Sequence, residues 1–330
     1  MQRSPFCSVE KILLVNSFLK LLAFLKLLKL LKLLESFSLA AFSRNLFWAF
    51  TLGLLSSSIH AQEIEARAYS NAPIGINFIT GGIAQAKSGS YKITTEAISL
   101  THILDVAGQS GRLSLVLPYA ELSGTGTANG QVINASAEGL SDPMIKASVN
   151  LYGAPALAAS EFKNYQQDLI IGASLAASIP WGKYNSDQMV NVGGNRTVIQ
   201  PGVGASKAVG PWRLELAGMA SIYTSNANYM GNNTLSQNPV YSTETHVIYY
   251  FPNTAWISAD ATYFFGGQTY VNGTAVNGSQ ENWRFGSTIS YPVDKHNAIR
   301  LTGSTGVYSR TNTSYDMLGI SWQYRWGGGL

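Results

Sequence analysis

The feature that most constrains the fold of this chain is an alternation of apolar and polar residues with a period of two. In the stretch WRLELAGMASIY, the apolar Trp212, Leu214 and Leu216 alternate with the charged Arg213 and Glu215. Side chains of an extended strand point to opposite faces in turn, so sustained alternation predicts β-strands. The same rhythm recurs in three further segments, 111–121, 282–292 and 315–326.

Twelve such strands are predicted, which gives an all-β fold. The predicted strands span residues 73–86, 96–106, 111–121, 142–151, 168–178, 196–209, 212–226, 242–251, 255–270, 282–292, 297–310 and 315–326. Ten or fourteen strands stay open as alternatives, because boundaries read from a pattern shift by a few residues.

The links between these strands alternate in length. Short links are 107–110, 210–211, 252–254 and 293–296, and longer ones are 122–141, 179–195, 227–241 and 271–281. Short turns at one end, longer loops at the other and an even strand number are typical of an antiparallel, transmembrane, up-and-down β-barrel. One link on the short side, 152–167, is longer than a turn and is expected to hold a turn of helix.

A soluble β-sandwich also alternates, so a second observation is needed. Large aromatic residues lie near the strand ends on the apolar faces, where a barrel meets the two interfaces of a bilayer. This position favours the barrel over the sandwich. The predicted membrane-interface aromatics are Tyr119, Trp212, Trp283, Tyr291, Trp322, Tyr324 and Trp326.

The opposite faces of the strands carry charges that would line an enclosed lumen. The predicted lumen charge belt consists of Arg112, Lys146, Arg213, Glu215, Glu244, His246, Asp260, Arg284, Arg300 and Arg325. Bases facing acids would create a transverse field and set a charge preference for solutes. The alternative is that these pairs only fill a narrow, closed interior, since twelve strands leave little bore once side chains are in place.

The chain begins with a leader of a different composition. Residues 1–45 form a low-complexity leucine-lysine tract, in which Lys26, Lys29 and Lys32 make a spanning helix costly. Residues 44–61 have the layout of a cleavable secretory signal peptide ending at Ala61. The tract is then either an overlong start or a low-complexity leader, and the alternative is one amphipathic anchor. The barrel domain is expected to span 62–330.

Removing the leader changes the charge balance. The full chain has 22 basic and 18 acidic residues, but residues 1–61 hold seven of the basic and two of the acidic ones, which leaves 15 and 16. The apparent basicity therefore belongs to the leader, and no nucleic-acid partner is expected. The single cysteine, Cys7, also lies in the leader, so 62–330 has no disulfide, thiolate metal site or cysteine nucleophile.

Three histidines remain after the leader, at 102, 246 and 296, and none has the spacing of a zinc site. No metal, cofactor or catalytic residue is predicted. His102 and His296 are expected to be structural, whereas His246 shares a polar face with Glu244. The competing class is a barrel phospholipase, whose chemistry needs a serine beside an oriented histidine, and the compact arrangement of that family is not found here.

Several segments resemble one family of barrel proteins. GRLSLVLPYAELSGTG at 111–126 and GLSDPMIKASVNLYGAPAL at 139–157 are similar to signature strands of the MetA-pathway of phenol degradation family. The resemblance also covers 71–82 and the region from 291 onwards, so it spans 66–326. It implies a roughly 12-stranded outer-membrane channel, often encoded near aromatic-degradation genes, for hydrophobic or aromatic substrates.

These observations predict an outer-membrane channel of a Gram-negative bacterium, passing small aromatic or hydrophobic molecules down a gradient. Its expected partners are outer-membrane lipid, such a solute, and the barrel-assembly machinery, although Trp326 is followed by GGGL where barrel chains usually end on an aromatic residue. The alternative is a closed barrel that binds a surface partner through its long loops. The sequence does not define the oligomeric state.

Overall fold

The structure, a computed structural model, describes residues 65–128, 131–188, 190–276, 278–309 and 314–329. The leader and signal peptide predicted at 1–45 and 44–61 lie outside the described residues. Within the described ranges, almost all regular structure is β-strand, with one helix of four residues.

The strands are numbered in chain order. They are β1 Ile76–Ser88, β2 Tyr91–Val106, β3 Gln109–Ala128, β4 Gln131–Leu140, β5 Met144–Tyr152, β6 Leu169–Ser178, β7 Val198–Val209, β8 Trp212–Tyr223, β9 Asn226–Tyr229, β10 Asn233–Gln237, β11 Val240–Tyr250, β12 Trp256–Gly266, β13 Thr269–Val271, β14 Thr274–Val276, β15 Gln280–Pro292, β16 Asn297–Ser309 and β17 Asp316–Gly327. The helix, α1, is Ala159–Phe162 and follows β5.

Twelve of these strands close into a ring. The ring runs β1, β17, β16, β15, β12, β11, β8, β7, β6, β5, β3 and β2, and β2 pairs with both β3 and β1. Its ladders are antiparallel, including the one that joins the first strand to the last. The predicted all-β, twelve-stranded, up-and-down barrel is confirmed.

The alternation read from the sequence sorts side chains between the outside and the inside of the ring. On β8, Leu214 and Leu216 are 46% and 57% exposed on the outer face, while Glu215 between them is 3% exposed. Buried polar residues such as Ser206 and Ser258 take the inner positions of other strands. A sheet closed in this way presents apolar side chains outward and encloses the polar ones.

The two ends of the barrel differ. The end that we call the turn end carries the links 107–108, 210–211, 251–255 and 293–296, together with the first residue of β1 and the last of β17. The link 153–168 also lies at the turn end and contains α1, as predicted. The opposite end, the loop end, carries the longer excursions.

Three of the four long links contain strands instead of the loops that the sequence predicts, whereas the described residues of 179–195 form no regular element. Within 122–141, the second half of β3 pairs with β4, whereas the first half of β3 pairs with β5. The segments 227–241 and 271–281 contribute to a separate small sheet of β9, β10, β13 and β14. Their Gly, Asn and Ser content indicates turns, but it does not reveal that the flanking residues find cross-strand partners.

No helix in the described part of the chain has both the length and the apolar content that a membrane-spanning helix needs.

A tight turn joins β2 to β3 at the turn end. Ala107 and Gly108 both have positive φ, at 52° and 82°, which is the type I′ geometry that matches the twist of the flanking strands. The side chain of Asp105 accepts a hydrogen bond of 2.7 Å from the Gly108 N–H. The register of the β2–β3 ladder therefore begins at this turn.

Replacing Gly108 with alanine is expected to cost about 1–2 kcal/mol of unfolding free energy, because a side chain destabilises the left-handed backbone. The matched control is Gly81→Ala. A Cβ at either position has open space, but only Gly108 has positive φ. Reversible urea unfolding of the two variants in detergent would measure the difference. Equal stability of the two variants would mean that the positive φ at position 108 does not require glycine.

Candidate functional site

Residues 65–75, which we call the N-terminal segment, lie inside the barrel. The backbone N–H of Arg67 donates a 2.8 Å hydrogen bond to the Glu215 carboxylate on β8, and Glu65 forms an ion pair with Arg300 on β16. At the turn end, the N–H of Ile74 donates to the Leu157 carbonyl oxygen at 2.9 Å. The segment thus contacts inward-facing groups on widely separated strands.

Tyr69 anchors this segment to the wall. Its side chain is only 3% exposed, and its hydroxyl lies 3.5 Å from the Ser174 hydroxyl on β6. The ring lies against Gly172 and Gly204, where an added Cβ would collide with ring carbons. The two glycines on neighbouring strands therefore make a recess for the tyrosine.

The Arg67 side chain extends along the wall to β11 and β12. Its guanidinium carbon lies 5.5 Å from the ring centre of Tyr250 and 5.6 Å from that of Trp256. At these distances a guanidinium is attracted to an aromatic face. Ala66 packs in the same apolar cluster as Trp256 and Ile248, so this part of the segment is held by side chains as well as by its backbone.

A cavity of about 530 Å³ remains between the N-terminal segment and the barrel wall. Its aromatic lining comes from Tyr69 of the segment and from Phe78, Phe162, Tyr250 and Trp256. This volume lies in the range of small-molecule sites, which are mostly apolar with a few polar groups. The cavity can thus hold a molecule with one aromatic ring.

Four bases of the predicted belt line this cavity, on two pairs of neighbouring strands. They are Arg112 on β3, Lys146 on β5, Arg300 on β16 and Arg325 on β17. Arg112 is in weak contact with the Ser70 carbonyl oxygen at 3.5 Å, and Arg325 donates to the Lys295 carbonyl oxygen at 2.7 Å.

The acids of the belt occupy a different part of the wall. Glu215, His246 and Asp260 are cross-strand neighbours on β8, β11 and β12. His246 Nδ1 lies 2.7 Å from Asp260 Oδ1, and its Nε2 lies 3.7 Å from Glu244 Oε2. β11 lies directly across the ring from β2. The four bases are on β3 and β5, next to β2, and on β17 and β16, next to β1. Acids and bases therefore face each other across the lumen.

The remaining two belt residues stand apart from both groups. Arg213 lies at the turn end, where its guanidinium donates to the carbonyl oxygens of Gly210 and Trp212 at 3.0 and 2.9 Å. Arg284 is nearer the loop end, where it donates to the Tyr315 carbonyl oxygen at 2.9 Å and its guanidinium carbon lies 3.5 Å from the Tyr315 ring centre. These two residues hold loops and turns.

The His246 cluster does not have the geometry of a nucleophilic triad. Ser258 Oγ donates to Asp260 Oδ2 at 3.0 Å, so the carboxylate stands between the hydroxyl and the imidazole. In a serine hydrolase the histidine occupies that central position and takes the serine proton. Within the part of the chain that the structure describes, no group of His, Cys, Asp and Glu side chains is placed to hold a metal ion.

The other two histidines make local contacts. His102 Nδ1 lies 2.8 Å from the side-chain oxygen of Asn77 on the neighbouring strand β1. His296 Nδ1 lies 3.0 Å from the Arg325 carbonyl oxygen at the turn end.

The predicted interface aromatics lie near the two ends of the barrel. Near the turn end, Trp322, Tyr324 and Trp326 stack in a column with ring centres 6.0 and 5.8 Å apart. Trp212 and Tyr291 lie near the same end, at the start of β8 and the end of β15. Near the loop end are Tyr119 on β3 and Trp283, whose ring centre lies 4.8 Å from that of Tyr263.

The loop end contains a buried polar cluster that sequence reasoning missed. The Asp142 carboxylate accepts hydrogen bonds from the N–H groups of Gly194 at 2.7 Å and Gly182 at 2.9 Å. Burial raises the pKa of the Asp142 carboxyl above its ordinary value, while the two N–H donors oppose that rise. The Arg196 guanidinium donates to Gln237 at 2.7 Å. These hydrogen bonds connect segments that the sequence predicts to be loops.

Sequence reasoning also missed the N-terminal segment. The first strand was predicted to start at 73, and the residues before it lack any alternation. One signal was available. Gly172 and Gly204 interrupt otherwise regular strands, and a glycine in a strand often marks the close approach of another group. The sequence does not say that this group is Tyr69.

Comparison with solved structures gives the same architecture. The crystal structure of the COG4313 outer membrane channel from Pseudomonas putida F1 matches with a TM-score of 0.68 at 18% identity, covering 80% of this chain and 100% of that chain. At this identity the likeness establishes the barrel fold.

Two further structures are less similar. The transport unit of the autotransporter AIDA-I from Escherichia coli has a TM-score of 0.46 at 11% identity, covering 82% of this chain and 95% of that chain. The KdgM porin in complex with disordered oligogalacturonate has a TM-score of 0.44 at 9% identity, covering 74% and 98%. Similarities at this level support no further conclusion.

Comparison with curated proteins gives no match. A profile of the family described as "Putative MetA-pathway of phenol degradation" matches residues 76–324, which runs from the first residue of β1 into β17. The match thus covers the ring of twelve strands, and the resemblance noted in the sequence is confirmed. The chain belongs to the MetA-pathway of phenol degradation family.

Proposed function

We propose that this protein is an outer-membrane channel through which small aromatic or hydrophobic molecules pass down their gradient without a cofactor. The observation that carries the proposal is a closed ring of twelve strands with an apolar exterior and a cavity inside. A closed ring leaves no unpaired sheet edge in hydrocarbon, where each unsatisfied backbone group costs several kcal/mol. Family membership and the barrel fold support the same function.

The outer surface supports contact with outer-membrane lipid. Exposed leucine, isoleucine and valine side chains cover the middle of the strands, and large aromatics lie towards both ends. This is the arrangement of an apolar band between two aromatic girdles. Reaching that membrane would require export through the predicted signal peptide and insertion by the barrel-assembly machinery, which we include in the proposal.

The inside supports a small and partly apolar solute. The cavity is lined by Trp256 and Tyr250 together with polar and basic side chains. The N-terminal segment fills much of the remaining lumen, so a wide aqueous pore does not fit this interior. Transit of a solute then requires the segment to shift, and its attachment at Tyr69 sets how readily it does so.

Lysine at an outer mid-strand position should destabilise the protein far more than lysine near the turn end. We expect Leu216→Lys to cost about 2–4 kcal/mol and Val209→Lys about 0–1 kcal/mol, because the cost of a charge depends on depth in the bilayer. Both side chains are outward and exposed, at 57% and 53%. Equilibrium unfolding in lipid vesicles would measure both, and equal costs would contradict the membrane placement.

Removing the Tyr69 ring should loosen the N-terminal segment and raise the conductance. We expect Tyr69→Ala to conduct potassium chloride better than wild type in planar bilayers, because the ring leaves the recess at Gly172 and Gly204. Tyr69→Phe is the control. It keeps the ring and loses only a 3.5 Å contact to Ser174, so its conductance should match wild type. Identical conductance in all three would show that this ring does not restrict the lumen.

The alternative function is a closed barrel that binds a surface partner. The ordered loop end favours it, since the β3–β4 hairpin and the small sheet of β9, β10, β13 and β14 form a structured surface. This alternative predicts that folded wild type and Tyr69→Ala both fail to conduct. It also predicts that deletion of 122–141 or 227–241 removes function while the barrel still folds.

A further inference from the structure

The cavity beside the N-terminal segment carries more basic than acidic side chains. Among its described lining residues, five are arginine or lysine and two are aspartate or glutamate. The five bases are Arg67, Arg112, Lys146, Arg300 and Arg325. An enclosed site lined by one sign of charge concentrates the field and attracts ions of the opposite sign.

The two acids of the lining already have partners. Glu65 forms its ion pair with Arg300. Asp294 accepts hydrogen bonds of 2.8 Å from the side chain of Asn297 and the N–H of His296. Neither acid is bonded to the bases on β3 and β5.

Those two bases, Arg112 and Lys146, form what we call the basic pair. Arg112 is opposite Ser148 and Lys146 is opposite Ser114 on the β3–β5 ladder, so the two are diagonal neighbours on the inner face. Such positions lie about 7–8 Å apart, within reach of long side chains. Like charges at that spacing repel. Among the described residues, no carboxylate forms an ion pair with either one, and Lys146 is exposed to the cavity.

Two buried acids lie elsewhere on the barrel wall. Glu215 and Glu244 act on the pair electrostatically. Glu215 accepts hydrogen bonds from Ser206 at 2.9 Å and from the Arg67 N–H at 2.8 Å, and Glu244 lies 3.7 Å from His246. The Glu215 carboxylate thus accepts from other donors, the Glu244 carboxylate lies beside His246, and neither acid lines the cavity. The basic pair keeps N–H donors available to a ligand.

Aromatic surface lies in the same cavity. Trp256, Tyr250, Phe78 and Phe162 share it with the basic pair. An aromatic ring can stack on such side chains, while a guanidinium and an ammonium bind a carboxylate by charge-assisted hydrogen bonds. A ligand with both groups satisfies both parts of the cavity.

We propose that this cavity is a binding site for an aromatic carboxylate, with the ring on the aromatic side chains and the carboxylate on Arg112 and Lys146. The proposal rests on the proposed channel function, which it narrows from small aromatic or hydrophobic molecules to aromatic acids. Side chains that only filled a closed interior would not need more bases than acids. A carboxylate ligand gives this excess of bases a function.

The test compares benzoate, its neutral analogue benzamide, and acetate by titration calorimetry on the full chain purified in detergent. Benzoate should bind about tenfold more tightly than benzamide, as expected for charge-assisted hydrogen bonds, and more tightly than acetate, which has no ring. The double variant Arg112→Gln with Lys146→Gln should lower benzoate affinity to that of benzamide. Arg112→Lys with Lys146→Arg should keep the preference for benzoate.

The control is Lys207→Gln, which removes an exposed lysine paired with Asp168 outside the cavity. It should bind benzoate as wild type does. Heat-dependent migration on gels identifies folded barrels, so only folded variants are compared, and the charge-conserving variant keeps the test valid if the glutamine variant does not fold. Benzamide binding as well as benzoate, acetate binding equally well, or loss of preference in the charge-conserving variant would overturn the proposal.

The potassium chloride conductance of the same preparations separates this proposal from the channel function. Conductance without a preference for benzoate overturns the aromatic-acid site and leaves the channel intact. A preference for benzoate that depends on the basic pair, in a protein that never conducts, supports the site and overturns the channel.

Discussion

The structure depends on the ladder between β1 and β17, because it joins the first strand of the ring to the last and so closes the sheet. With it, each strand of the ring has a hydrogen-bonded neighbour on both sides. Without it, two strand edges would present unpaired backbone groups on an apolar surface, at a cost of several kcal/mol for each group in hydrocarbon. The type I′ turn at Ala107 and Gly108 sets the register of another ladder of the ring, β2–β3, so a local preference of the backbone supports the pairing next to β1.

Closure creates an interior that must be filled or hydrated, and the protein fills it with its own N-terminal segment. Small residues make this possible. Gly172 and Gly204 leave room for the Tyr69 ring, and the buried Glu215 carboxylate gains a donor from the Arg67 backbone. The space that is left over is lined by aromatic and basic side chains. The shape and chemistry of the cavity follow from where the segment lies.

Much of the fold could be predicted from the residues, and part of the site could not. The strand β8 was predicted at 212–226 and is observed at Trp212–Tyr223, because its alternation is regular over its full length. The hairpin of β3 and β4 was read as a loop, since glycine and asparagine weaken a strand signal and the partner strand is not visible in the segment itself. The inner positions of Glu215 and Arg300 follow from the alternation of side chains along each strand. Their partners, Arg67 and Glu65, belong to a segment that has no such alternation.

The sequence by itself determined that the strands have one apolar and one polar face, since a period of two along an extended chain needs no knowledge of neighbours. It also determined which charges share the inner face. The tertiary structure alone decided which strands adjoin, and hence that acids gather on β8, β11 and β12 while Arg112 and Lys146 share a cavity without a bonded carboxylate. The reason is physical. Facing direction is a local property of the backbone, whereas the distance between two charges depends on ring order and on the segment that enters the ring.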